Sequence, residues 1–186
     1  MAGRETHVSR MTSRREKLLA ERLEDHRAAV REFVERATRV GEVGWLRPRA
    51  DGKWTPAQET KHVILSYDVL LNQLNGGAPM RVRTKPLRRL LARIIGLGSI
   101  LYRKRIPMAV NAARELRPEW EAAPASVLVV QLGERAARFE ALLADRWYAA
   151  PDTRLTHYIF GQLTLDQSVQ VMSVHTRHHA GFLPRQ

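Results

Sequence analysis

Residues 164–183 read TLDQSVQVMSVHTRHHAGFL. Leu165, Val169, Met172, His175, His179 and Phe182 recur at three- and four-residue spacing, the period of one face of an α-helix. The two histidines continue the apolar line instead of interrupting a polar one, so this spacing aims them inward. Burying an imidazole costs free energy unless it finds a partner, and a shared metal ion is one such partner. Two readings stay open at this point. A His-x-x-x-His pair either grips one ion, or each ring is hydrogen-bonded within the fold. His178 lies about 60° from His175 by helical phase, which makes it a boundary or supporting residue rather than a ligand.

Three further helical patterns precede this one. Leu19, Leu23, His26, Val30, Phe33, Ala37 and Val40 mark an amphipathic helix from about residue 14 to 40. Residues 1–13 are polar and basic and read as a disordered tail that contains His7. Thr55-Pro56-Ala57-Gln58 opens a second helix, with threonine as cap, proline at the first helical position and Gln58 completing a capping box. His62, Val63, Ser66, Val69, Leu70 and Leu74 share its inner face, and Asn75-Gly76-Gly77 closes it. A third helix runs from about Ala125 to Trp147 along Leu128, Leu132, Ala136, Phe139, Leu142 or Leu143, and Trp147. No strand alternation, repeat or low-complexity tract is visible. The expected class is all-α, a four-helix bundle with one domain over residues 14–183. Bundles build metal sites from facing helices, so His62 is the natural partner for His175 and His179. His26 falls on the apolar line of the first helix, where a hydrogen-bonded core histidine or a residue supporting the site are the alternatives. His157 is expected in a loop that caps or orients the last helix.

Composition narrows the chemistry. The chain has 186 residues, 44% of them hydrophobic, and no cysteine, so disulfides, thiolate metal sites and cysteine nucleophiles are excluded. MAGRETHVSRMTSRREK lacks the apolar stretch of a signal peptide, and no apolar run reaches the roughly 18 residues of a membrane span. A cytoplasmic location is the expectation. Arginine outnumbers lysine 26 to 5. The formal charge is +12, and residues 80–107 supply nine of those charges with no acid among them. They are Arg81, Arg83, Lys85, Arg88, Arg89, Arg93, Arg103, Lys104 and Arg105. This basic insert lies between the second and third helices. Its centre, PLRRLLARIIGLGSILY, forms a short amphipathic helix with Leu87, Leu90, Leu91, Ile94 and Ile95 on one side, weakened in its second half by Gly96 and Gly98. Residues 107–124, punctuated by Pro107, Pro118 and Pro124, have no assignable element.

Two segments carry a family resemblance. WTPAQETKHV, residues 54–63, resembles the Trp-Ser/Thr-Pro-x-Glu/Gln-x-x-x-His segment of the DinB-like superfamily of damage-inducible metalloproteins. HYIFGQLTLDQSVQVMSVHTRHHAGFL, residues 157–183, resembles its C-terminal segment, in which Phe-Gly-x-Leu-Thr leads into a helix bearing His-x-x-x-His. The resemblance implies an up-down-down-up bundle that binds Zn²⁺ or Ni²⁺ through three histidines. Carried onto this chain, those are His62, His175 and His179. Two departures stand out: many relatives have glutamine three residues after the last histidine, where this chain has Phe182, and the basic insert replaces a shorter connection.

The resemblance further implies a metal-dependent S-transferase that uses a low-molecular-weight thiol, bacillithiol or mycothiol, and presents it as a metal thiolate to an electrophile. A mycothiol-dependent isomerase also belongs to the superfamily. No serine sits in a nucleophile-elbow context to compete with that chemistry. The alternative is a non-enzymatic, stress-associated binding protein whose insert contacts an anionic membrane or another anionic partner. With only Tyr102 for stacking, no specific nucleic-acid partner is expected. In the simplest reading of the insert its apolar side packs over the bundle and Arg81, Arg83, Arg88, Arg89, Arg93, Arg103, Lys104 and Arg105 are solvated. In the enzyme reading they border the pocket and attract an anionic thiol or substrate. Pairing into a homodimer through apolar helix faces is a further expectation.

Overall fold

The computed structural model describes residues 2–107, 111–119 and 123–184, with side chains from Ser13 onward. Four long helices dominate it: α1 (Ala2–Arg39), α3 (Pro56–Leu74), α6 (Ala125–Ala149) and α7 (Leu165–Ala180). α1 begins at Ala2, ahead of the first apolar repeat, and His7 lies among the side chains outside the described ones. α1 packs on α6 and α7, and α3 packs on the same two helices. Their apolar seams meet in one core that includes Leu19, Phe33, Ile64, Leu128, Leu132, Phe139, Val169 and Met172. The spacing of these residues is what selects helix over strand, because only a 3.6-residue period puts them on one side.

The two helices that carry the histidine motifs start in the same way. Thr55 accepts a hydrogen bond from the Gln58 backbone while the Gln58 side chain accepts from Thr55 N–H, and Thr164 with Gln167 repeats the arrangement. Each box satisfies two of the backbone donors that a helix start leaves unpaired. A short α2 (Glu42–Trp45) follows α1 and buries Trp45, whose indole N–H donates to the Ala123 carbonyl at 2.8 Å.

Besides the earlier start of α1, two features depart from the sequence reading. The segment before α7 is an antiparallel hairpin, β1 (Arg154–His157) with β2 (Gly161–Thr164), although the sequence shows no alternation. Four residues per strand are too few to print a pattern, and pairing with each other supplies the backbone partners. His157 closes this hairpin rather than capping α7: its Nδ1 accepts the backbone N–H groups of Ile159 and Phe160 at 3.2 and 3.3 Å. In the basic segment, α4 (Pro86–Leu91), a π-helical turn (Ala92–Leu97) and α5 (Gly98–Arg103) form one interrupted helix. Its apolar side does not pack over the bundle. Leu87, Leu90, Leu91, Ile94 and Ile95 are all more than half exposed, and Leu87 reaches 71%. The inward side is made by Arg93, which donates to the carbonyls of Phe160 and Gln162, by Gly96 against the Phe160 ring, and by Leu97 and Ile100. A Cβ at Gly96 would stand 3.1 Å from Phe160, so glycine sets how closely this helix lies on the hairpin.

Among the described residues, no helix is long and apolar enough to cross a membrane.

Candidate metal centre

His62 projects from α3, and His175 and His179 from successive turns of α7. One ring nitrogen from each lies within 4.8 Å of the other two. His62 Nε2 and His175 Nε2 are 3.1 Å apart. Two nitrogens bound at 2.0–2.1 Å to one tetrahedral ion stand about 3.3 Å apart, so this spacing suits a shared ion.

The groups behind the rings decide which nitrogen faces the centre. His62 Nδ1 is 2.6 Å from the carbonyl oxygen of Leu116, in a 3₁₀ turn (Arg114–Leu116). A carbonyl only accepts, so Nδ1 carries the proton and Nε2 presents a lone pair. His179 Nδ1 donates in the same way to Glu59 Oε2 at 2.6 Å, and both side chains are buried. Glu59 lies on α3 one turn before His62, so it reaches the cluster from the same helix face. Trp54 closes one side, its ring centroid 4.9 Å from His62 and 6.4 Å from His179. His175 differs from the other two: its Nδ1 is buried and has no hydrogen-bond partner. Lone pairs aimed at one point repel unless a proton or a cation lies between them. The donor set is therefore suited to a divalent ion of the imidazole-binding type.

Electrostatics favour the same ligand state. Burial pushes the His62, His175 and His179 rings below the ordinary imidazole range, the last two well below it, with the neighbouring histidines adding to the effect for His175 and His179. The neutral ring is the form that binds metal. Burial also raises the Glu59 carboxyl to about 7, against the pull of the Arg49 guanidinium.

His178 is not one of the three converging rings: it packs edge-on against Phe182, with ring centroids 4.6 Å apart, is partly exposed and lines the same cavity. Arg49 stacks on the Phe182 ring at 4.1 Å, so Phe182 is part of the cavity rim. His26 is fully buried but belongs to a separate network. Its Nδ1 pairs with Glu140 and its Nε2 with the Tyr67 hydroxyl, each at 2.8 Å. Tyr67 in turn meets Thr176 at 3.3 Å, so α1, α6, α3 and α7 share one chain of polar contacts. The basic residues also divide. Arg83 pairs with Glu115, Arg89 donates to the Thr84 carbonyl, Arg93 to the hairpin and Lys104 to Gln170. Arg81, Arg88, Arg103 and Arg105 are exposed and do not line the cavity beside the histidines.

That cavity has a volume of about 620 Å³. Met80, Ile100, Phe160 and Val171 give it apolar walls, while Arg49, Lys53 and Arg117 add positive charge. His157 also lines it, with burial lowering its pKa to about 4.

The family model for the DinB superfamily matches residues 22–183. This chain belongs to the DinB superfamily. Among solved structures it is similar to one described as the mycothiol-dependent maleylpyruvate isomerase, with a TM-score of 0.58 and 17% identity. The match covers 89% of this chain and 60% of that one, so this chain spans about three fifths of the length of the solved relative. At that identity the likeness is one of fold. No curated protein matches the chain.

Glu59 and the Leu116 carbonyl were not among the residues singled out from the sequence. Glu59 had a signal, a carboxylate on the inner face one turn before His62. Leu116 acts through its backbone, which no side-chain pattern reveals.

Proposed function

We propose that this protein is a metal-dependent enzyme of thiol chemistry, holding Zn²⁺ or Ni²⁺ on His62, His175 and His179. The observation that carries the reading is the convergence of three imidazoles beside a large cavity, two of them oriented by Leu116 and Glu59. A divalent ion bound there would supply Lewis acidity and hold a thiol as its nucleophilic thiolate. The chain's own residues do the rest. Leu116 and Glu59 keep the ring protons on the far side, so that the Nε2 lone pairs of His62 and His179 face the centre. Trp54 shields one side of the rings from water. The apolar walls accept the body of an electrophile, and Arg49, Lys53 and Arg117 draw carboxylates of the thiol or substrate toward the mouth. The similarity to a mycothiol-dependent isomerase supports mycothiol as the low-molecular-weight thiol cosubstrate, with bacillithiol the alternative that the family resemblance implies. Within this reading the reaction is transfer of that thiol to an electrophile.

The test begins with protein purified so that metal is retained, followed by elemental analysis and an assay of thiol conjugation to a model electrophile. The expected result is one ion per chain and activity that disappears with it. Conjugation that persists in a metal-free His62→Ala protein would overturn the assignment.

A further inference from the structure

Surface leucines and isoleucines are ordinary when scattered, but five on one side of one helix are not. Leu87, Leu90, Leu91, Ile94 and Ile95 are 51–71% exposed along α4 and the π-helical turn, while the opposite side is anchored by Arg93, Gly96 and Leu97. That anchoring fixes which side faces out. Tyr102, 87% exposed, extends the surface at the far end of the insert. Exposed cations border the stripe: Lys85 and Arg88 at its start, and Arg103 and Arg105 beyond Tyr102, with Arg81 just upstream. Residues 80–107 contain no acid.

We propose that this insert docks the protein on an anionic lipid surface, with the Leu/Ile stripe in the acyl boundary and the flanking arginines at the headgroups. Charge selects this occupant over a second copy of the chain. Symmetric pairing through the stripe would bring two acid-free segments of nine cations together, whereas an anionic bilayer meets both the apolar stripe and its basic border. Tyrosine with an apolar ring and a polar tip suits the same boundary. The docking surface is separate from the histidine cluster, so it stands whether or not the site performs thiol chemistry.

Sedimentation of the full-length protein with vesicles tests this. Vesicles of phosphatidylcholine alone are compared with vesicles containing about 30% phosphatidylglycerol, at low and high salt. Binding to the anionic vesicles is expected to exceed that to neutral ones by about tenfold or more, and to weaken with salt. The paired substitution Leu90→Ser with Ile94→Ser removes apolar contact without touching charge, at positions exposed enough to leave the fold intact. It is expected to reduce binding about tenfold while circular dichroism and metal content stay unchanged. Unchanged binding of that variant would reduce the contact to charge alone and overturn the proposal. Equal binding to neutral vesicles, tighter binding to duplex DNA, or a dimer that the substitutions dissociate would each overturn it as well.

Discussion

His26 and His175 both place an imidazole inside the helix bundle, and their surroundings differ in one respect. His26 has each ring nitrogen partnered at 2.8 Å by a protein group, whereas His175 has Nδ1 unpartnered and Nε2 facing the Nε2 of another histidine. The first arrangement is complete within the chain. The second leaves one ring nitrogen without a partner in the chain, which is where the proposed ion comes in. Burial alone therefore says little about a histidine's role; what separates structure from site is whether the chain itself satisfies the ring.

Four measurements put this contrast at risk. The largest effect is expected from His175→Ala, which should reduce bound metal from one ion per chain to near zero while the metal-free protein keeps its helical circular dichroism. A native protein without metal, or a variant that keeps it, would end the distinction. His26→Ala should do the reverse, costing about 3 kcal/mol in urea unfolding because Glu140 and Tyr67 lose a buried partner, with metal stoichiometry unchanged. If metal were lost in that variant without a change in stability, the His26 network would belong to the site. Glu59→Ala tests the group behind a ligand: metal affinity measured by chelator competition should fall about 10- to 100-fold, and Glu59→Gln, which still accepts from His179, should recover part of it.

The smallest effect concerns pH. His157 has its folded pKa lowered to about 4 by burial, so between that value and the ordinary 6.5 the unfolded chain binds a proton that the folded chain does not. Stability attributable to this ring is full above pH 6.5 and is lost as pH falls toward 4. The difference should be on the order of 2 kcal/mol, since the ring edge reaches the cavity and is partly solvated. Unfolding of His157→Gln at pH 7 and pH 4.5, compared with the unsubstituted chain, reads that contribution; identical pH slopes would show that the ring is not buried as a neutral base.

The helices were legible because apolar residues recur at a helical period over long runs and because Thr55-Pro56 and Gln58 mark a start that no other conformation favours. The same logic placed His62, His175 and His179 on facing surfaces. It failed where packing is not made by apolar side chains. In the insert, Arg93 and Gly96 hold the helix to the hairpin through carbonyls and close approach, so the apolar stripe turned out to be the outer face. The hairpin was missed because each strand is only four residues long. The second contact of His62 was invisible because it is a backbone carbonyl from an irregular segment.

The paired threonine–glutamine caps have a consequence for how such a protein can change. Each cap pins the first turn of a helix, so each histidine sits at a set count of residues from a pinned origin: His62 from Thr55, His175 and His179 from Thr164. Removing or adding one residue between cap and ligand would swing the ring about 100° around the axis. Apart from Glu59, which holds the His179 ring, substitution between those markers costs local packing, while an indel there dismantles the cluster. The length of these two intervals is thus a ruler written into the chain.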